Sequence, residues 1–185
     1  MLVFLLIIVV LVVAVLLYVV ATYNGLVKLR NRIEAAWAQI DVQLKRRYDL
    51  IPNLVETVKG YAGHERSTLE AVINARNRAM AAPSGSHEQA QAENVISGAL
   101  RQVFALSEAY PDLKANQNFA QLQEELTSTE DRIAYSRQFF NDSVLKYNSK
   151  IQAFPGVILA NSMGFKPREY FEADDESRGP VQVKF

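Results

Sequence analysis

Apolar and polar positions divide the chain into one unbroken apolar run followed by helical stripes. Residues 2–23, LVFLLIIVVLVVAVLLYVVATY, carry only Thr22 and two tyrosine hydroxyls as polar groups, and no charged side chain precedes Lys28. As a helix this run rises roughly 33 Å, enough for a hydrocarbon core of about 30 Å. A helix closes its own backbone hydrogen bonds, so such a run is able to rest in lipid. Tyr18 and Tyr23 fall at its far end, where aromatic rings favour the interface. The pattern predicts a transmembrane anchor over 1–23. A cleaved signal peptide would need a basic start and an apolar core of roughly 7–15 residues, and this run fits neither. A buried helix of a soluble core is disfavoured by the unbroken length of the run.

Helical periodicity continues past the anchor. Leu29, Ile33, Trp37, Ile40, Leu44, Tyr48, Ile51, Val55 and Val58 recur every three or four residues and mark one face of a long amphipathic helix. Joined to the anchor, this helix would form a stalk projecting from the bilayer. Pro52 removes a backbone donor, which leaves a kink or a break open, with Asp49 as the cap of a new helix in the second case. Asn53 is read as the side chain that satisfies the freed backbone groups. Gly60 and Gly63 bracket a turn before a second helix over 64–82, whose inward residues are read as Leu69, Val72, Ile73 and Met80. Pro83, Ser84, Gly85 and Ser86 form the clearest loop.

A third helix is predicted over 86–110, with Ser86 as cap, Gln89 as its capping-box partner, and Val95, Ile96, Leu100, Val103, Phe104 and Leu106 inward. Pro111 ends it. Asn118 is read as the cap of a long last helix over 119–154, in which Thr129 and Ser136 interrupt an otherwise apolar stripe. Pro155-Gly156 stops that helix. A short helix over 157–163 and an extended tail from Gly164 follow. No segment alternates in the manner of a strand. The fold class is therefore all-α: an N-terminal transmembrane helix continuing into an elongated antiparallel four-helix bundle over 24–156, then a C-terminal short helix and extended tail over 157–185.

Charge adds orientation. The basic residues nearest the anchor, Lys28, Arg30 and Arg32, all follow it, so the positive-inside rule places the C-terminal domain in the cytoplasm, with a periplasmic domain as the alternative. By proximity the same three residues are the candidates for lipid headgroups. Net charge is zero, yet residues 24–82 carry ten basic against six acidic side chains and the remainder ten against fourteen. That asymmetry fits pairing between the halves or between subunits, and equally two ordinary solvated faces. The chain has no cysteine, which removes disulfides, thiolate metal sites and a cysteine nucleophile, and is compatible with either compartment.

Candidate chemistry is sparse. His64-Glu65 begins like a zinc-protease motif, but position 68 is Thr68 and the only other histidine is His87. Glu124, Glu125, Glu130 and Asp131 cluster on the last helix and are the one constellation from which a metal-dependent enzyme could be built; a solvated acidic face is the simpler reading. Lys45-Arg46-Arg47 is a basic run better suited to ion pairs within the bundle than to nucleic acid. Trp37 reads as a packing anchor, with Asp41 as the partner for its N–H. Catalytic, cofactor-binding and metal sites are expected to be none. Trp37, Pro52 and Asn53 are structural candidates.

The blocks YNGLVKLRNRIEAAWAQIDVQLKRRYDLIPNLVETVKGYAGHE (23–65), TLEAVINAR (68–76), YPDLKANQNFAQLQEELTSTEDRIAYSRQFFNDSV (110–144) and YNSKIQAFPG (147–156) resemble the LemA family over nearly the whole chain. The resemblance implies a bacterial single-pass membrane protein with an elongated helical domain. It also implies partners at the cell envelope, with a membrane protease system among them. The family brings no established catalytic residue. The expectation is a scaffold or adaptor in the inner membrane that engages lipid, protein partners or further copies of itself, with no cofactor and no nucleic acid. The alternatives are a lipid-organising or envelope-stress sensor, and a metal-dependent enzyme on the Glu124 to Asp131 carboxylates.

Overall fold

The structure is a computed structural model and describes residues 1–171. The predicted tail motifs Asp174-Asp175-Glu176 and Gly179-Pro180 lie outside the described residues. Among the described residues six helices follow in order: α1 (Leu2–Lys59), α2 (Arg66–Ala81), α3 (His87–Ala109), α4 (Pro111–Lys114), α5 (Gln117–Gln152) and α6 (Gly156–Ser162). Among the described residues there is no strand, and the fold is all-α. The chain divides into two compact units, one of residues 1–38 with 138–170 and one of residues 39–137 with Phe171. Both α1 and α5 contribute to each.

In the first unit the apolar run is part of a 58-residue helix that passes Asn24 and Gly25 without interruption. Its N-terminal part is long and apolar enough to cross a membrane. Beyond it, Leu26, Ile33 and Ala36 are buried, as are Phe140, Val144, Tyr147 and Ile151 of α5 and Ala160 of α6. Trp37 meets Phe140 edge-on at 5.7 Å, and Tyr23 meets Phe165 in the same manner at 6.0 Å. The segment after α6 is extended, and α5 fixes it. Asn148 donates from Nδ2 to the Arg168 carbonyl at 2.8 Å and accepts from the Arg168 amide at 2.9 Å. Tyr147 donates to the Lys166 carbonyl at 3.0 Å. One buried amide thus satisfies both backbone groups of Arg168, as a neighbouring strand would.

In the second unit the inward faces follow the 3.6-residue period closely, but with different occupants from those the apolar pattern names. On α1 the buried positions are Ile40, Leu44, Arg47, Tyr48, Ile51, Leu54 and Val58, while Val55 is only half-buried. On α2 they are Leu69, Val72, Ala75 and Ala79, and Met80 faces out. On α3 they include Gln89, Glu93, Ile96, Leu100, Val103 and Ser107, and Val95 is exposed. In α5, Thr129 and Ser136 continue the stripe, because a short hydroxyl side chain can enter an apolar seam once its oxygen is satisfied. Thr129 does so by donating to the Glu125 carbonyl one turn back, at 2.7 Å.

Helix ends follow local chemistry. Ser86 caps α3 by accepting from the Gln89 amide at 3.1 Å, and Gln89 reaches back to accept from the Gly85 amide at 2.8 Å. The cap of α5 is Asn116, not Asn118: its Oδ1 accepts from the Phe119 amide at 2.9 Å, so the helix starts at Gln117. Pro111 does more than end α3. It is the first residue of α4, a position where its missing N–H costs nothing.

Pro52 neither breaks α1 nor depends on Asn53. Without an N–H at position 52, the carbonyl of Tyr48 loses its intrahelical donor. Arg76 of α2 supplies it, with Nε 2.7 Å from the Tyr48 oxygen. Asn53 is exposed, and its own carbonyl accepts from Thr57 Oγ1 at 2.8 Å. A double-mutant cycle tests this account. R76A alone should destabilise the full chain by about 1–3 kcal/mol, the cost of an unpaired buried carbonyl. In a P52A background, where the amide donor returns, the same substitution should cost clearly less. Thermal unfolding in detergent, followed by circular dichroism, reads both; equal costs in the two backgrounds would separate Arg76 from Pro52.

Candidate functional site

The basic run at positions 45–47 meets three different surroundings, because successive helical residues point about 100° apart. Lys45 and Arg46 are exposed. Arg46 pairs with Glu125 of α5 at 3.4 Å. Arg47 lies three residues after Leu44 and four before Ile51, on the inward seam, and is fully buried. Its Nη2 donates to Glu93 Oε2 of α3, also fully buried. Its Nη1 donates to Glu130 Oε2 of α5 and lies 3.1 Å from Ser97 Oγ.

Both carboxylates are held at each oxygen. Glu93 Oε1 accepts from the Tyr48 hydroxyl. Glu130 Oε1 accepts from Ser97 Oγ. A second guanidinium, Arg137 of α5, donates to Asn94 Oδ1 at 3.3 Å and stacks on the Phe171 ring at 4.8 Å. Two cations and two carboxylates leave the cluster neutral. Burial is the main cause that lowers the Arg137 guanidinium from the ordinary arginine range; repulsion from Arg47 adds to it, and Glu93 and Glu130 oppose it. Burial, followed by the hydrogen bond to Glu93, raises the Tyr48 phenol well above its ordinary value. Tyr48 therefore stays a donor throughout the neutral range.

A cluster with its carboxylates saturated by cations and hydroxyls positions helices. Taking ions from water costs several kcal/mol each, and only close pairing with satisfied lone pairs repays that cost. The side of the cluster that reaches solvent is Glu130, whose side chain is 41% exposed. It borders a groove of about 310 Å³ shared with Ser97, Arg101 and Asp131.

The other candidates are spread out. Lys28 and Arg30 are exposed beyond the apolar run, and Arg32 packs over the Phe139 ring at 4.8 Å. Of the α5 carboxylates, Glu125 and Glu130 are engaged by arginines, while Glu124 and Asp131 are exposed. Among the described residues no three histidines or carboxylates come together as a metal site. His64 is exposed, and His87 Nε2 lies 2.9 Å from Gln91 Nε2. Glu93, Tyr48, Ser97 and Arg137 were not singled out as partners by the apolar pattern. Their signal was periodicity: Gln89, Glu93, Ile96, Leu100, Val103 and Ser107 form an inward stripe that a search for apolar residues alone passes over.

Two measurements test the cluster. R47M strands Glu93 without its buried counter-charge and should cost about 3–5 kcal/mol, whereas E130Q, at the solvated edge, should cost about 0–1 kcal/mol. The alkaline limb of stability tests Tyr48. An unfolded tyrosine ionises near pH 10, while the folded one resists. The stabilisation is thus complete below about pH 10 and is lost as pH rises beyond it. Y48F should flatten that loss, read from unfolding midpoints between neutral and strongly alkaline pH.

Comparison with known proteins gives a consistent picture. Residues 36–185 match the model of the LemA family. Magnetosome protein MamQ of Magnetospirillum gryphiswaldense is 26% identical over 184 residues, which cover 86% of this chain and 68% of that protein. Magnetosome protein MamQ 2 of Paramagnetospirillum magneticum is 25% identical over the same share of each chain. Protein LemA of Metamycoplasma hominis is 26% identical over 163 residues, covering 86% of this chain and 73% of that one.

Proposed function

The chain belongs to the LemA family, and from that premise we propose that it is a membrane-anchored helical scaffold or adaptor at the bacterial envelope, without catalytic activity of its own. The observation that carries this reading is the continuity of α1. One helix provides the apolar span and, on the same uninterrupted backbone, the arginine at the centre of the second unit's buried cluster. A helical domain fixed to a membrane by its own core element is suited to presenting surfaces to neighbours. The carboxylates that an enzyme would need are engaged in ion pairs or solvated.

Surface chemistry supports partners or self-association. In the second unit Val42 is 63% and Tyr135 73% exposed, large apolar side chains of the kind that interfaces use. The MamQ relatives are named for the magnetosome and not for a reaction, which favours organisation over catalysis. The basic residues following the span favour a cytoplasmic domain under the positive-inside rule, and the family resemblance favours a membrane protease system among the envelope partners it would engage.

Photo-crosslinkers at positions 42 and 135 of the full chain, in living cells, test the proposal. A discrete adduct with another membrane protein or with a second copy is expected. A strictly monomeric protein in detergent, together with no discrete adduct at either position in cells, would overturn it.

A further inference from the structure

The exposed apolar surface of the first unit does not end with the span of α1. At the turn between α5 and α6, Phe154 is 82% exposed, and Ile158 on α6 is 60% exposed. Gly156 and Ala160 take the buried side of α6, so Ile158 is turned away from the protein. The depth of this corner along α1 is fixed by its neighbours. A cleft of about 350 Å³ is lined on α1 by Tyr18, Ala21 and Thr22, and across from them by Lys150, Ala153 and Phe154. Tyr18 and Thr22 belong to the last turns of the apolar run, before the first charged residue at Lys28. Whatever depth those turns occupy, Phe154 shares it.

Lys150 lies on the polar side of the corner. Its ammonium approaches the α1 backbone at Gly25, where a Cβ would stand 2.5 Å from Nζ. Gly25 is one short turn past Thr22, toward the headgroups of a bilayer that α1 crosses. The surroundings are cationic. From residue 24 onward this unit holds seven basic residues, among them Lys28, Lys146 and Lys150, against three acidic ones, Glu34, Asp142 and Glu169. An apolar edge continuous with a membrane span, under a basic collar, matches the acyl and phosphate layers of a phospholipid surface.

We propose that the α5–α6 corner is a second membrane-contact element, with Phe154 and Ile158 set into the acyl boundary of the leaflet beside Tyr18 and Thr22, and Lys150 paired with a lipid phosphate. The domain is then held to the bilayer at two points, the second independent of any protein partner.

The cysteine-free chain allows a direct test. A single environment-sensitive fluorophore is placed on I158C or on D142C in the full chain, in vesicles of phosphatidylcholine and phosphatidylglycerol. Position 142 is three turns further along α5 from the corner, roughly 18 Å. The label at 158 should emit at shorter wavelength than the label at 142. It should be quenched by a nitroxide on the upper acyl chain and protected from aqueous iodide. Adding K150E should restore iodide quenching at 158. Three results would overturn the proposal: equal iodide quenching at 158 and 142; protection of 158 from both quenchers, which would mean that a second protein chain covers the corner; or no response to K150E.

Discussion

Arg47 is fully buried, and in the second unit both α3 and α5 answer to its charge. Glu93 brings α3, and Glu130 brings α5, each to hydrogen-bond distance of one guanidinium. The hydroxyls of Tyr48 and Ser97 then close the remaining carboxylate oxygens. A guanidinium is planar and offers its donors in a fixed fork, so it dictates direction as well as distance. Apolar contacts tolerate sliding; a buried ion with two anions does not, because any displacement exposes an unpaired charge to a low-dielectric interior.

The same stretch of α1 also recruits α2, by a different physical route. Proline at position 52 deprives the Tyr48 carbonyl of its amide partner, and Arg76 fills the vacancy from α2. Within six residues, from Arg47 to Pro52, α1 therefore presents a cation and an unpaired acceptor. Through them it fixes three other helices: α3, α5 and α2. A helix-breaking residue serves here as a docking point, and α1 continues through it to Lys59.

Much of this was legible in the sequence. The span, the all-α class, the Ser86 cap and the long last helix follow from apolar periodicity and turn chemistry, which are local. Arg47 was read only as a member of a basic run suited to ion pairs, because its partners are 46 and 83 residues away and no local rule names them. Glu93 was missed because an apolar stripe was sought on α3, and its inward face is partly polar. Asn118 was read as the α5 cap where Asn116 serves, since both are asparagines within two residues and only the backbone geometry separates them. Asn53 was assigned the work that Arg76 performs for the same reason as Arg47: the donor comes from another helix. At the exposed corner, Phe154 was read as the end of the long last helix and Ile158 as part of the short helix over 157–163, and the corner's surroundings depend on the proximity of Tyr18, which is 136 residues before Phe154.

Register is where the buried charge matters most. On α1 the seam residues Ile40, Leu44, Ile51, Leu54 and Val58 are interchangeable in kind, so a slip of one helical turn would exchange apolar for apolar at most positions. Hydrophobic burial alone would discriminate weakly between the two registers. At position 47 the exchange is different in kind. A slip in one direction brings Gln43 against Glu93, and in the other Ile51, and neither carries a positive charge. Glu93 would then lose its hydrogen-bonded counter-charge in the interior, with Arg137 the remaining cation of the cluster, at a cost of several kcal/mol, a large share of the stability of a domain this size. The pair contributes less to how strongly the helices hold together than to which alignment they hold in, and Glu130, being half in water, adds direction to that choice with little penalty of its own.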